Sequence, residues 1–395
     1  LLTKHDEPLL LRYTPEADVE GLPMHRVPAE PALHELIDTA ADAARGGEFR
    51  GDVAEFLHQS LDAAESYSDW FARILARLFR DTPLTLFAPH LSAARELAAP
   101  IFERAIHHPL EAAELVNAEG GKLSRLGYAQ QVEKGSNECA FFIEVEGRRR
   151  NVHYHEGKFT VKQERIELDE AGLLEVLRKQ PDLFSANVAL RPIVQQHLFP
   201  AAAYVAGPGE IAYWGQLKPL FARYNLPMPV VYPRARAVVA SEKLERWRTA
   251  YGLTLDDLSG PREVLLDAVL RDTRHDPAQA ALEQHRPRIN EVIRDAAGRV
   301  TAESDIAGPM FDALERHAER QLDRIARALA HRNADKATAA ARRMDRLQHM
   351  YAPWRKPQER VYTVFSFLFD YGWDLIPRLS RELDVNTFEM NEVVL

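Results

Sequence analysis

Past Ser241 the chain drops every strand signal and keeps a single period. Leu282, His285, Ile289, Val292, Ala296 and Val300 fall three or four residues apart. Ala307, Phe311, Leu314, Ala318, Leu322, Ile325 and Leu329 repeat that spacing, and Ala337, Ala341, Met344, Leu347 and Tyr351 extend it. Such intervals place apolar side chains on one face of a helix. About ten heptads of them predict a helical coiled-coil arm over 241–352. HRNAD (331–335) reads as the connection of an antiparallel pair. The body must then come from 1–240 and from 353–395, where PQERVYTVFSFLFDYGWDLIPRL is apolar enough to pack back on the core.

In the body the residues alternate between periods, which predicts an α/β fold. Residues 1–126 read as largely helical, with Asp52 capping one long helix through Phe79 and further helices from Leu91 to Leu123. PLTLFAP (83–89), apolar between prolines, reads as a buried strand. At Gly127 the character changes. Glycine and asparagine turns every eight to ten residues predict an inserted antiparallel meander of three or four strands within 127–180. Over 181–240 a helix leads to a buried strand at Ala201–Ala206, a glycine turn, a helix to Tyr224 and the strand MPVVYP (228–233). That succession is the unit of a parallel sheet with crossover helices.

Composition narrows the partners. A formal charge of −9 over 395 residues does not suit nucleic acid or an anionic membrane surface. The basic residues of the arm, such as Arg320, Arg324 and Arg327, alternate with Glu319 and Asp323 and have no aromatics interleaved for stacking. One cysteine, Cys139, permits no internal disulfide and suits a reducing cytoplasm. It reads as a small buried hydrophobe beside AFF. His153 and His155 share a face of what reads as an edge strand, short of the three or four ligands a metal needs, so no metal site is expected.

The candidate site lies in AAAYVAGPGEIAYWGQ (201–216) and the helix before it. Gly207, Gly209 and Ala212 match G-x-G-x-x-A between a strand and a helix. Pro208 removes an N–H donor from that turn, and Glu210 puts a carboxylate where a pyrophosphate would sit. The next strand ends in Arg234 and Arg236. Acid and arginines across one crevice suit an amine-bearing or zwitterionic ligand. The bland alternative is a tight turn in which Glu210 only complements the helix dipole. Upstream, Ser185 and Asn187 read as caps at a helix start, with Arg191 and Gln195 four apart on one face.

SANVALRPIVQQHLFPAAAYVAGPGEIAYWGQLKPLFARYNLPMPVVYPR (185–234), with PQERV at 357–361, resembles the signatures of the bacillithiol biosynthesis cysteine-adding enzymes. The resemblance covers most of the chain. It implies a Rossmann-like core, a coiled-coil arm and a homodimer formed through that arm. It also implies ATP-dependent joining of L-cysteine to glucosaminyl-malate, with Mg2+ accompanying ATP. Amide formation needs an activated carboxylate, as an acyl-phosphate or acyl-adenylate, and a deprotonated amine. On that basis Glu210 is expected to bind or deprotonate the amine. Arg191 and Arg234 would hold carboxylate or phosphate, Tyr213 and Gln216 would meet sugar hydroxyls, and Gln358, Glu359 and Arg360 would close the site.

Two departures stand against the family pattern. The upstream glycine-glutamine and histidine-aspartate motifs are missing, and LLTKHDEPLLLRY resembles the stretch just downstream of the second motif. The Rossmann-like core is therefore expected to be incomplete at its N-terminus. Thr363 stands where the family's asparagine is expected. Two other readings compete with the ligase. One is an NAD(P)-dependent oxidoreductase using the glycine turn; the other is a truncated, non-catalytic coiled-coil scaffold.

Overall fold

The computed structural model describes residues 2–4, 7–9, 15, 18–44, 46–161, 164–274, 277–303 and 308–395. Of the opening stretch only the hairpin β1 (Leu2–Lys4) and β2 (Glu7–Leu9) falls among them. Helices come next: α1 (Leu33–Ala43), α2 (Arg50–Asp62), α3 (Tyr67–Leu78), α4 (Ser92–His107) and α5 (Glu111–Arg125). The long helix expected from Asp52 to Phe79 is thus two. Ser66 breaks it by taking an extended conformation and accepting the Asp69 N–H at 3.2 Å as the cap of α3. Trp70 Nε1 donates to Ser60 Oγ at 3.1 Å, which ties α3 back to α2. The period that suggested continuity survives because both helices bury the same kind of stripe.

PLTLFAP is not a strand. Its residues form no strand ladder or bridge among the described residues, and Leu84, Leu86 and Phe87 are exposed. The flanking prolines lack N–H donors, so a short apolar run between them gains little from a ladder.

From Glu138 the meander forms as expected. β3 (Glu138–Val145), β4 (Arg148–His155), β5 (Lys158–Val161) and β6 (Ile166–Leu168) are antiparallel neighbours. After α6 (Glu170–Lys179), β7 (Phe184–Ala186) adds to the other side of β3, giving the order β6-β5-β4-β3-β7. β4, with His153 and His155, is therefore interior and not an edge. Phe141 and Phe184 of this sheet meet Phe102 of α4, with ring centroids 5.8–6.5 Å apart, at the centre of the core.

Next come α7 (Arg191–Leu198), β8 (Ala203–Ala206), α8 (Pro208–Trp214), α9 (Lys218–Arg223) and β9 (Val230–Pro233). β8 and β9 pair in parallel, from Ala203 opposite Val230 to Ala206 opposite Pro233, with both short helices in the crossover. This is the Rossmann-like unit. Only Ala206 of β8 is buried, contrary to the buried strand expected there, and Val205 and Val230 are 61% and 66% exposed. Among the described residues this sheet has two strands, so part of its surface has no layer over it.

The chain divides into two units. One holds 11–236 and 367–391, and so includes most of α15 (Phe365–Tyr371) and all of α16 (Leu375–Glu382). The return of this segment is visible in the Phe49 N–H donating to Phe369 O at 3.0 Å and in Trp373 packed edge-on to Phe56. Gly372 makes that approach possible: its φ is +66°, and a Cβ would lie 2.7 Å from the Phe49 ring.

The other unit holds 1–10, 237–366 and 392–395. β10 (Arg236–Ala240) pairs with β11 (Met390–Val394), and α10 (Glu242–Ala250), α11 (Leu255–Leu258) and α12 (Arg262–Arg274) lie between them in the chain. The arm itself is α13 (Pro277–Thr301) against α14 (Gly308–Tyr351). HRNAD is no connection; it lies inside the 44 residues of α14. None of its five residues is glycine or proline, so polarity alone does not break the helix. The chain reverses before Gly308, and Ala307 lies outside the described residues.

Candidate active site

Asn187 sets the entry to the site. It comes directly after β7 and is buried, with its Oδ1 accepting the N–H groups of Ala189 and Leu190 at 3.0 and 3.2 Å. Its Nδ2 donates to Cys139 O at 3.3 Å, and its own carbonyl accepts the Arg191 N–H. Neither expected residue caps α7, whose N-cap is Leu190 with no side-chain bond: Asn187 lies three residues earlier and closes the turn before the helix, and Ser185 belongs to the sheet. Pro192 fits the first turn because no N–H is needed there.

Arg191, the first residue of α7, organises the side chains around it. Its guanidinium donates to Gln195 Oε1 at 3.0 Å, to the Tyr213 hydroxyl at 2.8 Å and to the Tyr204 hydroxyl at 3.3 Å. Tyr204 donates in turn to Glu210 Oε1 at 2.5 Å, and Glu210 Oε2 accepts the Gly207 N–H at 3.0 Å. Arg191, Gln195, Gly207, Glu210 and Tyr213 are therefore brought together. Tyr204 joins them without having been singled out. Its signal was position: it is two residues before Ala206 on the strand that feeds the glycine turn, with its ring stacked on Trp214 at 4.3 Å.

Burial acts to raise the Glu210 pKa. The Tyr204 hydroxyl, the Gly207 N–H and the charges of Arg191 and Arg234 outweigh it and hold the carboxyl below the ordinary glutamate range. On Arg191 burial acts downward, and the bonds to Tyr213 and Tyr204 reverse it, so its pKa is raised. The glycine turn itself is unstrained. Gly207 has φ −75° and ψ 167°, and a Cβ there would meet Arg234 Nη2 at 3.7 Å and Glu210 Oε2 at 3.8 Å. Nothing lies within 4 Å of a Cβ on Gly209. The Gly207 N–H, a donor that a pyrophosphate would use, is already taken by Glu210.

Other expected residues have different surroundings. Gln216 is fully buried, and its amide accepts from the Gln131 and Val132 N–H groups and donates to the carbonyls of Val116 and Val132. Arg236 opens β10, and its carbonyl accepts from Asn391 Nδ2 at 3.1 Å. Gln358 is buried in the arm unit, bonded to the N–H and carbonyl of Val239 and to Met350 O. Glu359 and Arg360 complete its short helical turn, Glu359 half-buried and Arg360 exposed.

Ser185 and Arg191 also line a cavity of about 360 Å3 shared with Met24, His25, His90, Arg95, Glu144, Arg149 and Asp182. Of these the sequence reading had named none besides Ser185 and Arg191. A signal did exist for Arg95. It lies three and seven residues before Ala98 and Phe102, which puts a charge beside the buried stripe of α4. Arg95 Nη1 donates to Phe184 O, and its Nε is buried with no partner among the described residues. Arg149 of β4 stacks on the Phe142 ring at 4.2 Å. The imidazoles of His25 and His90 are parallel with centroids 4.5 Å apart. Burial first, then nearby cationic groups, lower both their pKa values, so both are neutral near pH 7. Among the described residues no three histidine, cysteine, aspartate or glutamate side chains converge as a metal would require, and no helix is long and apolar enough to cross a membrane.

Comparison with known proteins also places a boundary near residue 236, although it assigns 367–391 to the C-terminal part. Residues 13–235 match the family description "Bacillithiol biosynthesis BshC, N-terminal Rossmann-like domain", and residues 237–395 match "Bacillithiol biosynthesis BshC, C-terminal coiled-coil domain". A candidate cysteine ligase BshC of Bacillus cytotoxicus is 28% identical over 351 residues, covering 85% of this chain and 62% of that protein. Those of Geobacillus thermodenitrificans and Geobacillus kaustophilus are 31% and 32% identical, covering 91% and 88% of this chain. The chain spans 66% and 65% of those two proteins, so about two thirds of the length of the curated relatives it matches.

Proposed function

The chain belongs to the BshC family of bacillithiol biosynthesis, and from that membership we propose that it carries the amide-forming site of a cysteine ligase. The reaction joins L-cysteine to glucosaminyl-malate at the expense of ATP, with Mg2+ accompanying the nucleotide. The observation that carries this reading is the chain of contacts from Arg191 through Tyr204 to Glu210, lying in the family signature and opening through Arg191 on a cationic cavity.

Each residue has a task set by its chemistry. Glu210, kept ionised by its neighbours, binds the ammonium form of the amine, with uptake of its proton as the alternative role. Arg191 and Arg234 bind carboxylate or phosphoryl oxygens through charge-assisted hydrogen bonds and stabilise negative charge as the amide forms. Tyr213 and Ser185 offer hydroxyls to the sugar, and Gln195 holds Arg191 in place. ATP supplies the activation of the cysteine carboxylate. The thiol belongs to the substrate, since burial and the adjacent Glu138 push the Cys139 thiol up to about 12. We further propose that the protein works as a homodimer assembled through the arm.

The test uses the 395-residue chain and the full product of its gene. Each is incubated with cysteine, glucosaminyl-malate, ATP and magnesium, and products are read by mass spectrometry. Bacillithiol with ADP indicates an acyl-phosphate, and bacillithiol with AMP an acyl-adenylate. A folded full product that makes neither bacillithiol nor ADP or AMP overturns the reading.

A further inference from the structure

The cavity beside Arg191 holds more positive charge than its own carboxylates neutralise. Glu144 is buried and ion-paired with Arg26 at 2.5 Å, and Asp182 accepts from Ser92 Oγ at 3.1 Å. Arg191 donates to Gln195, Tyr204 and Tyr213 and is already assigned to the site around Glu210. That leaves Arg95 and Arg149, neither of which forms an ion pair among the described residues. Glu144 and Asp182 act on Arg95 only through space.

Geometry prepares both groups. The bond from Arg95 Nη1 to Phe184 O fixes one end of its guanidinium and leaves the buried Nε–H without an acceptor. Arg149 lies directly opposite Glu144 across β3 and β4, with its guanidinium carbon 4.2 Å from the centre of the Phe142 ring and no acceptor for its side-chain N–H groups among the described residues. The mutual repulsion of two such cations, together with an unsatisfied buried donor, disfavours the empty site. An oxyanion accepting from both relieves each cost, and guanidinium groups match carboxylate and phosphate geometry. His25 and His90 line the same cavity as neutral rings and add no competing charge.

We propose that Arg95 and Arg149 form an anion subsite that receives a carboxylate or phosphoryl group in this cavity. That the anion is carried by a substrate rests on the ligase reading; that the pair binds an anion does not.

Calorimetric titration of the folded chain with malonate and, separately, with inorganic phosphate tests the subsite without any turnover. Saturable binding of malonate identifies a carboxylate site, and preferential binding of phosphate a phosphoryl site. Arg149→Met, at an exposed strand position, is expected to weaken the bound anion at least about tenfold, the loss of one charge-assisted contact. Arg95→Met should do the same, and the exposed Arg178→Met should leave binding unchanged. Thermal melting verifies that each variant is folded, and Arg149→Met keeps the test open if Arg95→Met is not. Failure of the folded parent chain to bind either anion, or wild-type affinity in folded Arg149→Met, overturns the proposal. A full gene product that binds anions through this pair yet makes neither bacillithiol nor ADP or AMP would refute the ligase reading alone.

Discussion

At Glu210 burial and hydrogen bonding pull in opposite directions, and hydrogen bonding wins. A carboxyl whose folded pKa lies below its unfolded value, about 4.3, contributes stability that is present above that value and lost as pH falls through the folded pKa. Glu210→Gln should therefore flatten part of the acid limb in melting temperature measured from neutral pH downward. The same depression makes Glu210 a better charge partner than proton acceptor. We expect Glu210→Gln to raise KM for the amine substrate about tenfold, with a smaller fall in kcat. Steady-state kinetics that show kcat collapsing at constant KM would instead make it the base. Cys139 offers a second residue-scale prediction. It is 2% exposed and titrates far above neutrality, so the native chain should resist iodoacetamide, and Cys139→Ala should keep full turnover. Arg191, Gln195, Glu210 and Tyr213 were legible because they are close in sequence. Arg95 and Arg149 were not, because 54 residues of folding bring them to one cavity, and a single chain read linearly gives no pairing between them.

Single elements show where linear reading works and where it stops. The meander was legible because glycine turns and β-branched runs act locally. The α2–α3 break, the exposed PLTLFAP segment and the unbroken α14 were misread because caps, missing strand partners and helix-tolerant polar residues outweigh apolar periodicity. Gln216 makes the point energetically. A polar residue just after a glycine turn suggested a sugar contact, but its amide bridges α5 and the 131–132 backbone through four hydrogen bonds of 2.8–3.2 Å. Gln216→Leu keeps the volume and strands those buried groups. It should cost roughly 2–4 kcal/mol, read as a lower urea midpoint at unchanged slope. A midpoint within error of the parent would mean that this clamp does not hold α5 to the segment at 131–132.

For the molecule as a whole the arm carries the proposed assembly. Two helices alone cannot enclose their apolar stripes: α13 has no fully buried residue, and along α14 burial is confined to Leu322, Ala340, Met344, Leu347 and Tyr351. Ile289 is 40% exposed, Val292 62%, Val300 45%, Met310 71%, Leu314 47% and Ile325 49%. Register within the pair is fixed separately, by Arg286 on Glu319 and Asp323, by Asn290 on Glu319, and by Arg294 on Glu315 at 2.8 Å. Exposed pairs of that kind set alignment more than stability, since solvent screens their attraction. The leftover apolar surface is what a second copy would cover, as in bundles of more than two helices. We therefore expect a dimer in sedimentation velocity that persists at high salt, because apolar burial is not screened. Val292→Glu combined with Leu314→Glu should convert it to a monomer while leaving the helical circular dichroism signal in place, since both side chains are already exposed in the single chain. A dimer that survives the double substitution would move the interface off the arm. A parent chain that is monomeric at micromolar concentration would remove the homodimer from the proposed function without touching the site built around Arg191.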